Sequence, residues 1–157
     1  MGNDSELSDK HNSKTMKTIS ILTDFSEFPA LRHCNISDKS GEEFYHGVLN
    51  EAFKEAYEKG EKLSVNLDAT AGYASSFLDE AFGNLVYDFT LEVVKKNIEI
   101  VSEQEPHWKD MILNQTFSQW ESRRKNKQAP KVTVSHQAWY RLINNELKFE
   151  IWEQPAA

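Results

Sequence analysis

Cys34 is the only cysteine in 157 residues, so no internal disulfide can staple the chain. Glycine and proline are sparse, six and four respectively. The glycines stand singly, which excludes a Walker loop and a dinucleotide-binding fingerprint. No apolar run approaches the roughly 20 residues of a membrane-spanning helix. The first residues lack the apolar centre of a signal peptide, and MGNDSE fails the myristoylation pattern at Glu6. The expectation is a cytoplasmic protein without membrane contact. Basic charge is also short: 18 Lys and Arg face 25 Asp and Glu, a net charge of −7. That balance argues against a dedicated nucleic-acid binder, which must offset a dense line of phosphates.

What remains is an ordinary globular composition, 39% hydrophobic and 27% charged. A chain of this length buries about 70% of its unfolded surface, enough for a core without metal or disulfide. Residues 1–16 are polar and aperiodic and read as a flexible tail. Residues 17–121 read as one α/β domain. Residues 122–157 read as a basic linker, SRRKNK, followed by a strand-rich extension packing on that domain.

Within the domain, KTISILTDF gives a first strand ending at Phe25. The loop SEFPALRHCNISDKS carries Phe28, Pro29 and Leu31, apolar enough to fold back on the core. SGEEF opens a helix with a capping box between Ser40 and Glu43. Phe44, Val48, Ala52, Phe53 and Ala56 share its face, and Gly60 ends it. Leu63, Val65 and Leu67 alternate with polar residues as a strand. Phe77, Leu78, Ala81, Phe82, Leu85, Val86 and Phe89 stripe a second helix, in which Gly83 signals close packing or a bend. TLEVVKKN fits a short helix or a strand, and IEIVSE a strand. EPHWKDMILNQTFSQWE is a third helix opened by Pro106, with Trp108, Met111, Ile112 and Trp120 inward. KVTVSHQAWYRLINNELKFEIWEQ alternates as two strands about Asn144 and Asn145, although HQAWYRLI also fits a helix. The order β, α, β, α, strand, helix predicts an α/β fold with helices on a small parallel or mixed sheet.

GYASSFLDEAFG sets two serines, Ser75 and Ser76, where the second strand hands over to its helix. That edge is where α/β sheets keep their sites. One serine is the expected N-cap of the helix, with Asp79 near the positive end of its dipole. Asp68, Thr70, Tyr73, Asp79 and Glu80 surround the serines in sequence, and Arg32 is placed to reach Asp79 as a brace. His33 beside Cys34 lacks a second pair at ligand spacing. His11, His46, His107 and His136 are scattered, so no metal site and no cofactor are expected. A hydrolase at this edge would need a histidine nearby or a Gly-x-Ser-x-Gly elbow; neither is present, and the chain reads as non-enzymatic.

LSVNLDATAGYASSFLDEAFGNLV resembles the central signature of STAS domains, a strand followed by Ser-Ser and an amphipathic helix, as in bacterial anti-anti-sigma factors. FSEFPALRH, SGEEF and AGYASSFLDEAFGNLV together resemble the bacterial family called STAS-like, over about residues 17–104. The resemblance implies a STAS-like fold and a regulatory protein-interaction module. It further implies that Ser75 accepts phosphate from a histidine-kinase-like ATPase, with Ser76 beside it, and that Asp68, Thr70, Tyr73, Ser75, Asp79 and Glu80 dock that partner. The chain departs from the signature at Ala74, where Asp precedes the serine, and at Phe77, where Gly follows. Two other classes stay open: a hydrolase-like enzyme at the same edge, and a nucleic-acid-associated regulator using Arg123, Arg124, Lys125 and Lys127.

Overall fold

The computed structural model describes residues 15–156. His11 and all but the last two residues of the polar stretch 1–16 lie outside them. Strand β1, Met16–Ser20, is shorter than expected. Ser20 accepts a hydrogen bond from the Thr23 amide while Asp24 accepts one from the Ser20 amide. This reciprocal cap turns ILTD into a helical turn, α1, Ile21–Asp24, where alternation alone continued the strand.

Helix α2 opens at Gly41–Phe44, passes through a π-helical turn at Tyr45–Leu49, and continues as Asn50–Glu58. Ser40 accepts from the Glu43 amide at 3.1 Å. The other half of the expected capping box is replaced, because the Glu43 carboxylate instead lies 3.6 Å from the Cys34 thiol. Gly60 leaves the helix at φ +68°, a conformation that glycine adopts without a Cβ penalty. Strand β2, Lys62–Asn66, follows.

Helix α3 spans Ser75–Phe89 and α4 spans Leu91–Asn97, settling the ambiguous TLEVVKKN as helix. Thr90 separates the two and caps α4 by accepting from the Val93 amide. Strand β3 is Ile98–Val101. Helix α5 comprises Pro106–Met111, a π-helical turn Ile112–Thr116, and Phe117–Lys125. The helix absorbs the first four of the six residues of the basic stretch, so SRRK is helical rather than linker. Strands β4, Trp139–Ile143, and β5, Glu146–Glu150, pair antiparallel. Their turn residues Asn144 and Asn145 both have positive φ, as a two-residue primed turn requires. Residues 131–138 precede the hairpin without regular structure.

The main sheet is parallel throughout, in the order β1-β2-β3, and the β4-β5 hairpin forms a second sheet. Central strand β2 buries Leu63, Ser64 and Val65 in succession, as expected of a strand covered on both faces. The core joins Leu63 and Val65 to Phe44 and Phe53 of α2, Phe77, Phe82 and Phe89 of α3, and Trp120 of α5. Val132, Trp139 and Leu142 of the C-terminal segment belong to the same core. The loop after β1 does not fold back as expected: Phe28 and Leu31 are exposed, whereas Phe25 and Pro29 carry the inward packing. Among the described residues no helix is long and apolar enough to cross a membrane.

Candidate functional site

Because the strands are parallel, the loops leaving β1, β2 and β3 gather at one edge of the sheet, where open α/β sheets bind ligands. They are stitched together there. Asp68 accepts from the amides of Glu103 and Gln104, both at 3.0 Å. Gln104 in turn accepts from the Ala69 amide, and the Ala71 amide donates to the Glu27 carbonyl. Tyr73 is half-buried and donates its hydroxyl to the Leu67 carbonyl. Its phenol is pushed up to about 12, chiefly by burial. Thr70 accepts from the Gly72 amide. Asp68, Thr70 and Tyr73 therefore shape the loop that delivers the serines.

The serines are not the helix cap that their position suggests. The N-cap is Ala74, extended at φ −92° and ψ 146°, and it has no side-chain oxygen to offer the first amides. Ser75 is thus the first helical residue. Ser75 is exposed and Ser76 partly so, and neither hydroxyl makes a hydrogen bond among the described residues. Ser75 lines a cleft of about 190 Å³ with Arg32, Asp79, Met111 and Gln115.

The expected brace is present. Arg32 donates to Asp79 at 2.7 Å and to Glu80 at 3.1 Å. Burial lowers the guanidinium's pKa, but the two carboxylates outweigh it and hold the group above its ordinary value. Glu80 is buried and also accepts from Asn84, with His33 3.5 Å away. Burial raises the Glu80 carboxyl above its ordinary range against the pull of His33, Arg32 and Asn84. Trp120 adds a donor that the sequence did not reveal, its indole Nε1 lying 3.1 Å from Asp79. Nothing in the local pattern pairs a tryptophan with an acid 41 residues earlier; only the glycine at 83, seated against the same indole, hinted at the contact.

A second polar cluster, absent from the sequence reading, ties the C-terminal segment to α2. Glu42 is buried, and its carboxylate accepts from the Cys34 amide, the Thr133 amide and hydroxyl, and His136 Nε2. Burial opposes ionisation, but these bonds, that of His136 foremost, hold Glu42 well below the usual carboxylate range. Burial pushes the Cys34 thiol up to about 12, with Glu42 and Glu43 adding to it. His46 stacks on His136 at 3.9 Å, and burial, helped by His136, lowers it to about 3, so it is neutral. A third cluster sets Arg141 on Asp88 at 2.6 Å, with Tyr45 donating to the same carboxylate.

The basic stretch is largely engaged. Arg123 stacks on Trp120 and donates to the Ala129 carbonyl, and Arg124 pairs with Glu121. Lys125 and Lys127 make no ion pair among the described residues.

Residues 40–108 match the family model of a STAS-like domain of unknown function. The match covers α2, β2, α3, α4 and β3, including both serines, and agrees with the resemblance drawn from those residues. No curated protein and no solved structure matches the chain.

Proposed function

We propose that this chain, with its STAS-like domain, is a non-enzymatic regulatory module that docks a protein partner at the N-terminal end of α3. The observation that carries the reading is the pair of unbonded hydroxyls, Ser75 and Ser76, on a helix end whose cap is an alanine. Neither hydroxyl is used as a cap or in a hydrogen bond among the described residues, which leaves both available to a partner. Around them Arg32 and Asp79 supply fixed charge of both signs, and Thr70 lies in the adjoining loop. Asp79 is committed to Arg32 and Trp120, which leaves Ser75 without an evident base and favours docking over hydrolysis. The engagement of Arg123 and Arg124 likewise weighs against a phosphate-backbone contact.

The finer reading is that the partner is a histidine-kinase-like ATPase and that phosphorylation of Ser75 switches the contact. A phosphate adds about −1.5 to −2 charges. On the free chain the unsatisfied amides at the start of α3 favour that charge while Asp79, four residues on, opposes it, so the fold barely responds. At a contact the same charge must be desolvated, which releases the partner.

The test is binding of purified ATPases of this type to the full chain, read by calorimetry, with phosphate incorporation read by mass spectrometry. Ser75→Asp is expected to weaken binding at least tenfold with stability changed by less than about 1 kcal/mol, and Ser75→Ala to leave binding intact. An Asp variant that binds as tightly as the parent removes Ser75 from the interface.

A further inference from the structure

The second cluster does more than hold two segments together. Cys34 Sγ, a Glu42 carboxylate oxygen and a ring nitrogen of His136 lie within 4.8 Å of one another. Cys34 and Glu42 stand eight residues apart, in the loop before α2 and in its first turn, and His136 comes from the irregular segment before β4, 94 residues beyond Glu42. Ligand atoms around a tetrahedral metal with bonds of about 2.0–2.3 Å stand about 3.5 Å apart. Small side-chain adjustments bring the three atoms to that spacing. We propose that Cys34, Glu42 and His136 form a binding site for a divalent transition-metal cation of the zinc class.

Three further features favour a cation here. Glu42 is buried and Glu43 lies 3.6 Å from the thiol, yet among the described residues neither carboxylate pairs with a lysine or arginine; the basic side chain that meets Glu42 is His136. The thiol accepts from the Ser40 hydroxyl at 3.5 Å and donates to Glu43 at 3.6 Å, the weak hydrogen bonds typical of sulfur, which a metal–thiolate bond can displace. His46, stacked on His136, keeps Nδ1 shielded from solvent with no hydrogen-bond partner. Buried polar atoms are rarely left so, and here a second imidazole goes unsatisfied next to the donors.

The donor set selects the metal. One sulfur, one imidazole nitrogen and one carboxylate oxygen suit zinc, cobalt or nickel; magnesium and calcium demand oxygen alone. A thiolate and a carboxylate balance a divalent ion, the thiol proton leaving to solvent. Glu43, whose side chain already approaches Cys34, offers a fourth oxygen. An open groove of about 420 Å³ reaches His136 and Glu43, though not Cys34 or Glu42; His46, Trp139 and Phe149 also line it. A bound ion would replace the Glu42–His136 hydrogen bond with a three-point clamp of the C-terminal segment onto α2.

The experiment adds cobalt(II), then zinc(II), to the metal-free full chain. Expected are a near-ultraviolet sulfur-to-cobalt charge-transfer band with visible bands of a four-coordinate ion, saturating at one equivalent, and displacement by zinc. Zinc should also slow alkylation of Cys34 at least tenfold. Cys34→Ser, which changes one atom and leaves Glu42 and His136 in place, should abolish the charge-transfer band with the far-ultraviolet circular dichroism unchanged. If that variant does not fold, the alkylation of the parent chain decides. The proposal is overturned by a parent chain that gives no charge-transfer band at millimolar cobalt, by a band that persists in Cys34→Ser, or by alkylation indifferent to zinc. In those cases the cluster is a hydrogen-bonded latch alone.

Discussion

Replacing Gly83 by alanine sets two effects of known size against each other. In an exposed helix interior the change would stabilise by about 1 kcal/mol, because glycine gives up more backbone freedom on folding. At Gly83 the added carbon falls directly on Cε2, Nε1 and Cδ2 of Trp120. No flexible side-chain end is available to yield, since the clash is with the body of an indole that is 1% exposed and packed between α3 and α5. Overpacking of this kind costs about 1–3 kcal/mol. Moving the indole also strains its bond to Asp79, a hydrogen bond to a charged group worth about 1.5–3 kcal/mol. The expected net effect of Gly83→Ala is a loss of about 2–4 kcal/mol, a large part of a typical stability of about 5–15 kcal/mol. Denaturant unfolding of the full chain measures it, with an unchanged slope confirming that the two-state comparison holds. Trp120→Phe in the same background should recover part of the loss, because the smaller ring makes room; the double-mutant cycle isolates that coupling. A Gly83→Ala variant that gains about 1 kcal/mol, as at a solvent-facing site, would show that Trp120 is not seated there and would remove its support for Asp79.

Ala74→Asp should stabilise the chain by about 1 kcal/mol, because the N-cap of α3 has extended geometry and no side-chain acceptor; thermal unfolding reads the gain, and none at all would mean the first amides are already satisfied. Arg141→Ala should cost about 3–5 kcal/mol at neutral pH by leaving the buried Asp88 unpaired. Burial already holds the Asp88 carboxyl above its ordinary value, so in the variant the native state takes up a proton before the unfolded chain does. The penalty should therefore be largest above the folded pKa and shrink as pH falls through it. Denaturation at neutral and mildly acidic pH checks the trend, and a constant penalty would show that the Asp88 charge is not its source.

The legible parts of the fold were those whose signal is local. The 3.6-residue stripe from Phe77 to Phe89, the alternation of Leu63, Val65 and Leu67, and the Asn-Asn turn each report an element through its own residues, and each is present. Where local cues competed, the shorter-range one won. Ser20 and Asp24 close a cap within four residues and end β1 before its alternation runs out. The capping box at Ser40 was half legible, because the partner that draws Glu43 away is Cys34, outside the helix. The Arg32–Asp79 brace could be guessed from charge and topology. Glu42 with Thr133 and His136 could not, since those contacts span more than 90 residues of sequence and one of the two segments has no periodicity to place it. The exposed Phe28 and Leu31 show the converse limit: an apolar loop residue says nothing of which way it faces.

The three buried acids among the described residues, Glu42, Glu80 and Asp88, all lie within the STAS-like segment 40–108, and each draws a basic partner from outside it. His136 meets Glu42, Arg32 meets Glu80, and Arg141 meets Asp88. The segment is thus electrostatically incomplete without the loop before it and the extension after it. Ending the chain after Lys125 would keep β1, Arg32 and α5 but strip both Glu42 and Asp88 of their partners, at about 3–5 kcal/mol each. The burial that Val132, Trp139 and Leu142 provide would be lost as well. Together these losses match or exceed the stability of an ordinary domain. The fragment 15–125 should therefore show no cooperative unfolding at neutral pH by circular dichroism. Glu42→Gln with Asp88→Asn, which removes the two unpaired charges while adding no apolar burial, should restore a measurable transition in that fragment. An unsubstituted fragment that unfolds cooperatively at close to the full chain's midpoint would show the C-terminal segment to be separable and the charge argument mistaken.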